Sequence, residues 1–215
     1  MLHMTQHKIY WIGGSPCSGK SSIAEKLASE YDLTYYRCDD AMDRHFARCR
    51  PDRHPVMHKL KSMNSGQLFS RPVQEQVEDE LAFYREEFAM ILEDIRELPA
   101  GRPVLAEGAA LLPEKVCAVL EAPHLGVWIV PEKEFQLAQY SQRSWVGDVL
   151  KDCRDPEEAF ANWMERDIRF AKIVAGQAAA YSFKLITVDG SSDLTANIAT
   201  VKEHFRLDTF GTEQS

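Results

Sequence analysis

Residues 8–21 read KIYWIGGSPCSGKS, and this stretch decides the fold. Its second part, from Gly14 to Ser21, matches the spacing G-x-x-x-x-G-K-[ST] and follows the apolar run KIYWIG. An amphipathic helix is predicted directly after it, over residues 20–31. Glycines let backbone N–H groups turn inward around an anion, and the helix N-terminus adds a partial positive charge. The stretch therefore predicts a strand, a phosphate-binding loop and a helix in succession.

The residue types inside the loop predict a role for each position. Lys20 supplies a compact cation for the β- and γ-phosphates of a nucleotide, and the Ser21 hydroxyl is the expected Mg²⁺ ligand. Cys17 is either a reactive thiol, because a helix N-terminus lowers a thiol pKa, or only a small loop residue. The residues predicted to bind the nucleotide here are Gly14, Ser15, Pro16, Cys17, Ser18, Gly19, Lys20, Ser21 and Ser22.

The composition of the chain excludes several functions. With 215 residues, 45% of them hydrophobic, the chain is expected to form one domain over residues 1–215. Its formal net charge of −8 argues against binding to a nucleic-acid backbone, which needs a cationic surface. The apolar runs are too short to cross a bilayer. Five cysteines without a CxxC pair favour a reducing compartment, so we predict a cytoplasmic protein.

Short apolar runs alternate with helical patterns along the chain, which is typical of a parallel sheet with helices on both faces. The runs are almost wholly apolar rather than alternating, as expected for strands that are buried on both sides. The five predicted strands cover residues 8–13, 33–38, 103–106, 125–130 and 184–188.

Two long helices and a helical flap are also predicted. In residues 73–98 the apolar positions recur in steps of three and four, which indicates a helix with one buried face. Further helices are expected over residues 157–183 and 193–205. Residues 132–152 are helical in pattern but contain Gly147, and with the helix that follows they form a candidate mobile flap. Residues 206–215 are expected to be a frayed tail.

With this loop and this order of elements, the chain resembles the P-loop kinases of the nucleoside-monophosphate-kinase-like group. It is most similar in type to small-molecule phosphotransferases such as the shikimate and chloramphenicol kinases. The resemblance implies a three-layer α/β P-loop NTPase fold with five parallel strands in the order 2-3-1-4-5. It also implies ATP and Mg²⁺ as cofactors, an acceptor-binding helical region at about residues 40–100, and a helical lid at about residues 132–170.

Two adjacent carboxylates follow the second predicted strand. In the hydroxyl-phosphorylating relatives, an Asp at this place faces the acceptor and takes or orients its proton, and α/β sheets bind ligands at this edge. The resemblance makes Asp40 the first choice as the base and places Asp39 nearer the metal. Neighbouring strand residues point in opposite directions, so the two cannot share one role if the strand continues. The alternative is that an Asp here only caps the next helix.

Further candidates follow the third and fifth strands. In the relatives, the third strand ends in an acidic residue and a glycine at the Walker B position, and Glu107 and Gly108 stand there. Glu107 is thus implied to hold Mg²⁺ through water or to contact the acceptor, and a structural carboxylate is the alternative. Asp189 and Gly190 are implied to lie under the adenine, and a plain turn before a helix explains them equally well.

Three arginines in the predicted flap are candidates for catalysis. Arg143 lies in its first part, and Arg166 and Arg169 share a helix face because they are three residues apart. Phosphoryl transfer needs positive charge where negative charge develops, and an Arg fork binds phosphate oxygens at two points. Each one alone is more typical of a surface ion pair, with Glu165 or Asp167 as the partner. As a set in the lid, they predict at least one catalytic arginine.

Charge is unevenly distributed in the region after strand two. Residues 44–61 contain six basic residues and one acid, a net of +5, whereas residues 73–98 contain nine acids and two arginines, a net of −7. The two segments either form solvated faces or attract each other. Because the basic segment follows the candidate base, we also predict an acceptor with a carboxylate or phosphate group, bound by Arg44 and Arg71.

Together these patterns predict an ATP-dependent kinase that acts on a small, anionic metabolite. A GTPase is disfavoured, because the chain has no [NT]-K-x-D motif for base recognition. The alternatives are a nucleotide-binding regulatory module that catalyses no transfer, and a kinase that phosphorylates nucleotides themselves. The expected partner is a small-molecule acceptor, without nucleic acid or membrane, and the protein is expected to be a monomer or a homodimer.

Overall fold

A five-stranded sheet lies at the centre of the computed structural model, which describes residues 7–208. The strands are β1 (Ile9–Gly14), β2 (Thr34–Arg37), β3 (Val104–Glu107), β4 (Gly126–Pro131) and β5 (Lys184–Val188). They are hydrogen-bonded in the order β2-β3-β1-β4-β5, and every pair is parallel. This sheet confirms the predicted fold class and strand order.

Helices connect the strands and cover the sheet. They are α1 (Lys20–Glu30), α2 (Cys38–Arg48), α3 (Pro55–Lys61), α4 (Ser65–Phe69), α5 (Val73–Glu97), α6 (Pro113–Val116), α7 (Lys133–Ser141), α8 (Val146–Leu150), α9 (Pro156–Ala180) and α10 (Leu194–Phe205). A 3₁₀ turn, Pro123–Leu125, precedes β4. The two long helices α5 and α9 have nearly the bounds that the sequence predicts.

The two faces of the sheet are buried by different helices. On one face, residues of β1 and β4 pack against α5 and α9, and this cluster includes Trp11, Trp128, Ile91 and Phe170. On the other face, β1 and β4 pack against α1 and α10 in a cluster that includes Tyr10, Ile129, Leu27 and Phe205. Alternate side chains of a strand point to opposite faces, so a strand buried on both sides is apolar at every position.

The structure differs from the sequence prediction at the end of β2. The predicted strand reaches residue 38, but β2 ends at Arg37 and α2 begins at Cys38. Asp39 and Asp40 therefore lie in the first turn of α2, where the positive end of the helix dipole favours acidic side chains.

The predicted flap helix over residues 132–152 is divided into α7 and α8. The break lies at residues 142–145 and not at Gly147, which is inside α8. At the break, the backbone N–H groups of Arg143 and Val146 donate to carbonyls three residues earlier, at 3.1 and 3.2 Å. Such bonds wind the chain more tightly than an α-helix, and they end α7.

The last described residues pack on the fold, although the sequence predicts a frayed tail from residue 206. Leu207 is buried, and the Tyr31 hydroxyl donates to the Asp208 carboxylate at 2.6 Å. Residues 209–215 of the predicted tail lie outside the described residues. Between residues 7 and 208, no helix is long and apolar enough to cross a membrane.

Candidate active site

The predicted phosphate-binding loop joins β1 to α1. Gly14 has a φ of 129°, and a Cβ atom there would overlap the backbone carbonyl of Ile129 in β4, so only glycine fits. The Ser15 backbone N–H donates to the same carbonyl at 3.2 Å. These contacts bring the loop over the carboxyl ends of β1 and β4, which is where parallel α/β sheets bind ligands.

Several polar groups of the loop are buried without the usual partners. The Ser15 and Ser18 hydroxyls are almost fully buried and have no hydrogen-bond partner within the described residues. The Lys20 side chain is also buried; its Nζ donates to the Ser15 carbonyl at 2.8 Å and lies 3.9 Å from Glu107 Oε1. Buried polar groups are nearly always paired in proteins. Unpartnered hydroxyls beside a buried cation therefore fit the oxygens of a bound phosphate group.

A cleft of about 580 Å³ opens in front of the loop, and we call it the loop cleft. Residues 16–22 form one wall, and Asp39, Met42 and Tyr84 form another. Its remaining walls include Glu107 at the end of β3, Phe135 and Arg143 of the flap, and Val188 and Asn197 around the β5–α10 connection. The volume is that of a small-molecule site.

The residues predicted to hold Mg²⁺ all line the loop cleft: Ser21, Asp39 and Glu107. Glu107 is buried, and its Oε2 accepts a hydrogen bond from the Tyr35 hydroxyl at 3.0 Å. Burial raises the pKa of Tyr35, and the Glu107 charge raises it further, so Tyr35 remains a donor. Within residues 7–208, no three His, Cys, Asp or Glu side chains are grouped to bind a metal. A hydroxyl and two carboxylates are oxygen donors, which fit an ion such as Mg²⁺ that takes its other ligands from phosphates and water.

The two acids at the start of α2 face different cavities. Asp39 lines the loop cleft, whereas Asp40 lines a separate surface cavity together with Arg37 and Arg44. Successive residues of a helix point roughly 100° apart. The predicted base Asp40 therefore lies outside the lining of the loop cleft, because the strand that would have aimed it there ends at Arg37, and Asp39 is the acid of this pair that lines the cleft.

Gly108 holds α2 against the end of β3. A Cβ atom at Gly108 would lie 2.5 Å from the Cys38 Cβ and 2.7 Å from its Sγ. Cys38 is buried and is the first residue of α2, so a larger residue at position 108 would displace the helix that carries Asp39. Gly108 thus acts on the site through α2, while its neighbours Glu107 and Ala109 line the loop cleft.

A group of charged side chains, which we call the α2–α5 network, joins these two helices. The ring of His45 is fully buried; its Nδ1 lies 2.8 Å from Glu87 Oε1 and its Nε2 lies 3.0 Å from Asp94 Oδ2. Burial by itself raises the pKa of Asp94, but its hydrogen bonds outweigh that effect and hold the pKa below its usual range. The other donors to Asp94 are Tyr36, Arg44 and Arg48.

The network shows that the basic and acidic segments attract each other, one of the two alternatives that the sequence leaves open. Arg44 pairs with Asp94 at 2.9 Å, and Lys59 pairs with Asp79 at 2.7 Å. Arg44 lines the surface cavity of Asp40 and not the loop cleft. The prediction that Arg44 binds the acceptor therefore does not agree with its position.

Arg143 is the flap arginine that lines the loop cleft. Its guanidinium carbon lies 5.2 Å from the centre of the Tyr140 ring and 5.5 Å from that of Trp145. Contacts of this kind between a cation and aromatic faces hold the side chain in place. Arg143 is thus held in the wall of the loop cleft by two aromatic rings.

The other two flap arginines have structural partners. Arg166 Nη2 lies 2.6 Å from Asp167 Oδ1, and its Nε lies 3.3 Å from Glu80 Oε2. Arg169 pairs with Glu165 at 2.7 Å on the half-exposed face of α9. The ion pairs that the sequence analysis gave as the alternative are therefore present for both residues.

A second cavity, of about 330 Å³, lies beside the loop cleft and shares a wall with it. Met42 of α2 and Tyr84 of α5 line both cavities. Arg71, which the sequence predicts to bind the acceptor, lines the second cavity and forms an ion pair with Asp79. No sequence motif marks Met42 as a residue of the wall between the cavities, and the periodicity of α5 predicts Tyr84 only as part of its buried stripe.

The connection after β5 is a turn, as one of the two sequence interpretations has it. Asp189 Oδ1 accepts hydrogen bonds from the backbone and the hydroxyl of Ser191, at 2.8 and 2.6 Å. Asp193 caps α10 by accepting from the Ala196 backbone N–H. Val188 lines the loop cleft, whereas Asp189 and Gly190 lie outside its lining.

The Cys17 thiol is less acidic than the helix terminus suggests. Burial raises its pKa, and the positive charge of Arg143 only partly opposes this. Cys17 therefore fits the interpretation as a small loop residue better than that of a reactive thiol.

No known family model matches the chain, and no curated protein matches it significantly. Solved structures similar to it include a gluconokinase from Sinorhizobium meliloti, 12% identical, with a TM-score of 0.48 and coverage of 99% of this chain and 100% of that one. A deoxyadenosine kinase from M. mycoides with bound dATP is 12% identical, with a TM-score of 0.47 and coverage of 93% and 100%. A protein from Eubacterium ventriosum is 16% identical, with a TM-score of 0.44 and coverage of 93% and 98%. The strand order of the sheet and the geometry of the loop between β1 and α1 are those of a P-loop fold.

Proposed function

We propose that the protein is an ATP-dependent phosphotransferase that acts on a hydroxyl group of a small molecule. One observation carries this proposal: the loop cleft and the second cavity meet at a common wall, formed by Met42 and Tyr84. A donor on the phosphate loop and an acceptor in the second cavity would therefore be held side by side. Holding two reactants in this way is the main contribution that a protein makes to phosphoryl transfer.

The loop cleft supplies the groups that a nucleoside triphosphate requires. The buried Ser15 and Ser18 hydroxyls, the loop N–H groups and Lys20 would bind the phosphates. Ser21 and Glu107 would hold Mg²⁺, which neutralises phosphate charge when it is bound. Glu107 is kept in orientation by Tyr35.

Asp39 of α2 and Arg143 of the flap both line the loop cleft, where the transferred group would lie. The acceptor oxygen attacks the γ-phosphorus, the bond from that phosphorus to the bridging oxygen of the β-phosphate breaks, and ADP leaves. Asp39, in the wall nearest the second cavity, takes the proton of the acceptor hydroxyl. Lys20 and Arg143 stabilise the negative charge on the transferred group, and the flap excludes water.

An ADP-release assay over a library of metabolites, with ATP and Mg²⁺, tests this function. Release that depends on one class of acceptor, and that Lys20→Ala abolishes, supports it. Slow ATP hydrolysis that no metabolite accelerates would instead indicate the regulatory module. Phosphorylation confined to nucleoside monophosphates would indicate a nucleotide kinase.

A further inference from the structure

The second cavity is mainly apolar. Its walls include the aromatic rings of Phe46 and Phe83, whose centres are 5.5 Å apart, and the flexible side chain of Met63. Leu60 and Leu68 of the segment between α2 and α5 complete the apolar wall. Such a lining favours a ligand with an apolar body, and aromatic and methionine side chains make good contacts with a ring. A body about the size of one or two rings suits a cavity of about 330 Å³.

Two buried polar atoms in this wall have no hydrogen-bond partner within residues 7–208: Glu80 Oε2, which forms an ion pair with Arg166, and Gln76 Oε1. Gln76 is 3% exposed, and its Nε2 donates to the backbone carbonyls of Phe69 and Arg71, at 3.2 and 2.8 Å. These two bonds fix the amide, so Oε1 must be the free acceptor, and it has no hydrogen-bond partner in the described part of the chain. An unpaired buried acceptor costs free energy unless a ligand N–H or O–H donates to it.

Both arginines that line the cavity already have carboxylate partners. Arg71 pairs with Asp79, which also binds Lys59. Arg166 lies between Asp167 and Glu80. An anionic ligand would therefore meet cations that already have carboxylate partners, and it would lie close to those carboxylates.

The remaining cation of the lining is Lys61, at the exposed rim. Its Nζ donates to the Phe46 carbonyl at 2.8 Å, so it is directed to the backbone. An ammonium group at an exposed rim is strongly hydrated and contributes little to selecting a buried ligand.

We propose that the second cavity binds the phosphate acceptor, and that the acceptor is an uncharged alcohol with an apolar, ring-sized body and an N–H or O–H group that donates to Gln76. This inference rests on the proposed function and replaces the anionic acceptor predicted from Arg44 and Arg71. The reactive hydroxyl reaches the loop cleft past Met42 and Tyr84, and the transfer step is the one given above.

The charge preference can be measured with pairs of related neutral and anionic probes. Adenosine and AMP form one pair, and phenyllactamide and phenyllactate form another, within a library of neutral alcohols and hydroxy acids. Thermal shift with a non-hydrolysable ATP analogue reports binding, and ADP release reports transfer. We expect neutral members to be preferred by at least about tenfold, because an anion enters without a free cation to pair with its charge. A preferred anionic member, or a library in which no neutral member binds, would overturn the proposal.

A substitution that releases a cation provides the second test. In Asp79→Asn the Arg71 charge has no carboxylate partner at position 79, so the preference should shift toward the anionic member of each pair by about tenfold. Asp52→Asn removes an exposed carboxylate that pairs with Arg50, and it should leave the preference unchanged. If Asp79→Asn keeps the wild-type preference, this contradicts the proposal that the pairing of Arg71 with Asp79 makes the cavity select a neutral ligand. Calorimetry with ATP, run beside these assays, distinguishes the two proposals. If the wild-type protein binds no ATP, the proposed function is wrong, but the ligand preference of the second cavity can still be measured.

Discussion

The loop cleft and the α2–α5 network lie on either side of α2, and both contain buried polar groups, but in opposite states. In the network, each ring nitrogen of His45 faces a carboxylate. In the cleft, the buried hydroxyls of Ser15 and Ser18 have no partner among the described residues. A satisfied polar group helps to hold the fold, whereas an unsatisfied one costs about 1–3 kcal/mol until something binds it. The contrast distinguishes side chains whose hydrogen bonds maintain the structure from side chains whose hydrogen bonds would be completed by a ligand.

The largest effect is expected on the cleft side of the comparison. Lys20→Ala should lower phosphoryl transfer by roughly 10²–10³-fold, because it removes a cation from the transferred phosphate. The free energy of unfolding should change less than transfer does, since the one hydrogen bond of Lys20 is to its own loop and its ion pair with Glu107 is long, at 3.9 Å. ADP release and denaturant unfolding measure the two effects. Lys26→Ala, at an exposed position of the same helix, is the control, and equal losses in both variants would contradict the assignment.

In the α2–α5 network, His45→Ala should mainly reduce the stability of the fold. It leaves Glu87 and Asp94 buried without their shared partner, which should lower the free energy of unfolding by about 3–5 kcal/mol. Burial raises the pKa of Glu87, and His45 opposes that rise, so the variant's Glu87 pKa should be higher still. A carboxyl that binds its proton more tightly when folded loses stability as the pH rises, so the variant should be more stable near about pH 5 than near about pH 8.

Denaturant unfolding at the two pH values checks this result. His58→Ala, at an exposed position on α3, serves as the control for removing an imidazole. A His45→Ala protein as stable as the wild type, or one that becomes more stable with rising pH, would break the comparison.

The two regions meet at Gly108, so a substitution there should affect both. Gly108→Ala forces a methyl group against Cys38, which should lower the free energy of unfolding by about 1–3 kcal/mol and also reduce transfer, since Asp39 moves with α2. Gly176, inside α9, has open space around its Cα, and Gly176→Ala should raise stability by about 0.5–1 kcal/mol. Thermal unfolding and ADP release compare the two variants. If Gly108→Ala changes neither stability nor transfer, α2 is not held by the contact between residues 108 and 38.

The smallest expected effect separates two arginines of the flap. Arg143→Ala should lower kcat by about tenfold, because Arg143 lines the cleft. Arg169→Ala, which removes a surface pair with Glu165, should leave kcat within about twofold. ATP binding should also change the fluorescence of Trp145, whose ring contacts Arg143. A larger loss in the Arg169 variant would reverse the assignment.

The parts of the fold that depend on local sequence were predictable. The loop at residues 14–21 and the apolar strands follow from short patterns, and the long helices α5 and α9 follow from their periodicity. The start of α2 was not predictable, because it depends on the close approach of Gly108, a residue far along the chain.

The roles of the charged residues were only partly predictable. A basic segment beside a candidate base suggests an anionic ligand, but the partners of Arg44 and Arg71 lie on α5, on the turns that carry Asp94 and Asp79. Which charges neutralise each other depends on how two helices pack, and this is not encoded in either segment alone. The same limit hid the second cavity, whose lining comes from several separate segments.

The wall between the two cavities affects whether ATP is used for transfer or for hydrolysis. Met42 is unbranched and flexible, and together with Tyr84 it forms the common boundary. A thinner boundary, as in Met42→Ala, would merge the compartments into one basin open to solvent. Water would then compete with the alcohol for the γ-phosphorus. We expect the variant to hydrolyse more ATP at the expense of the proposed transfer.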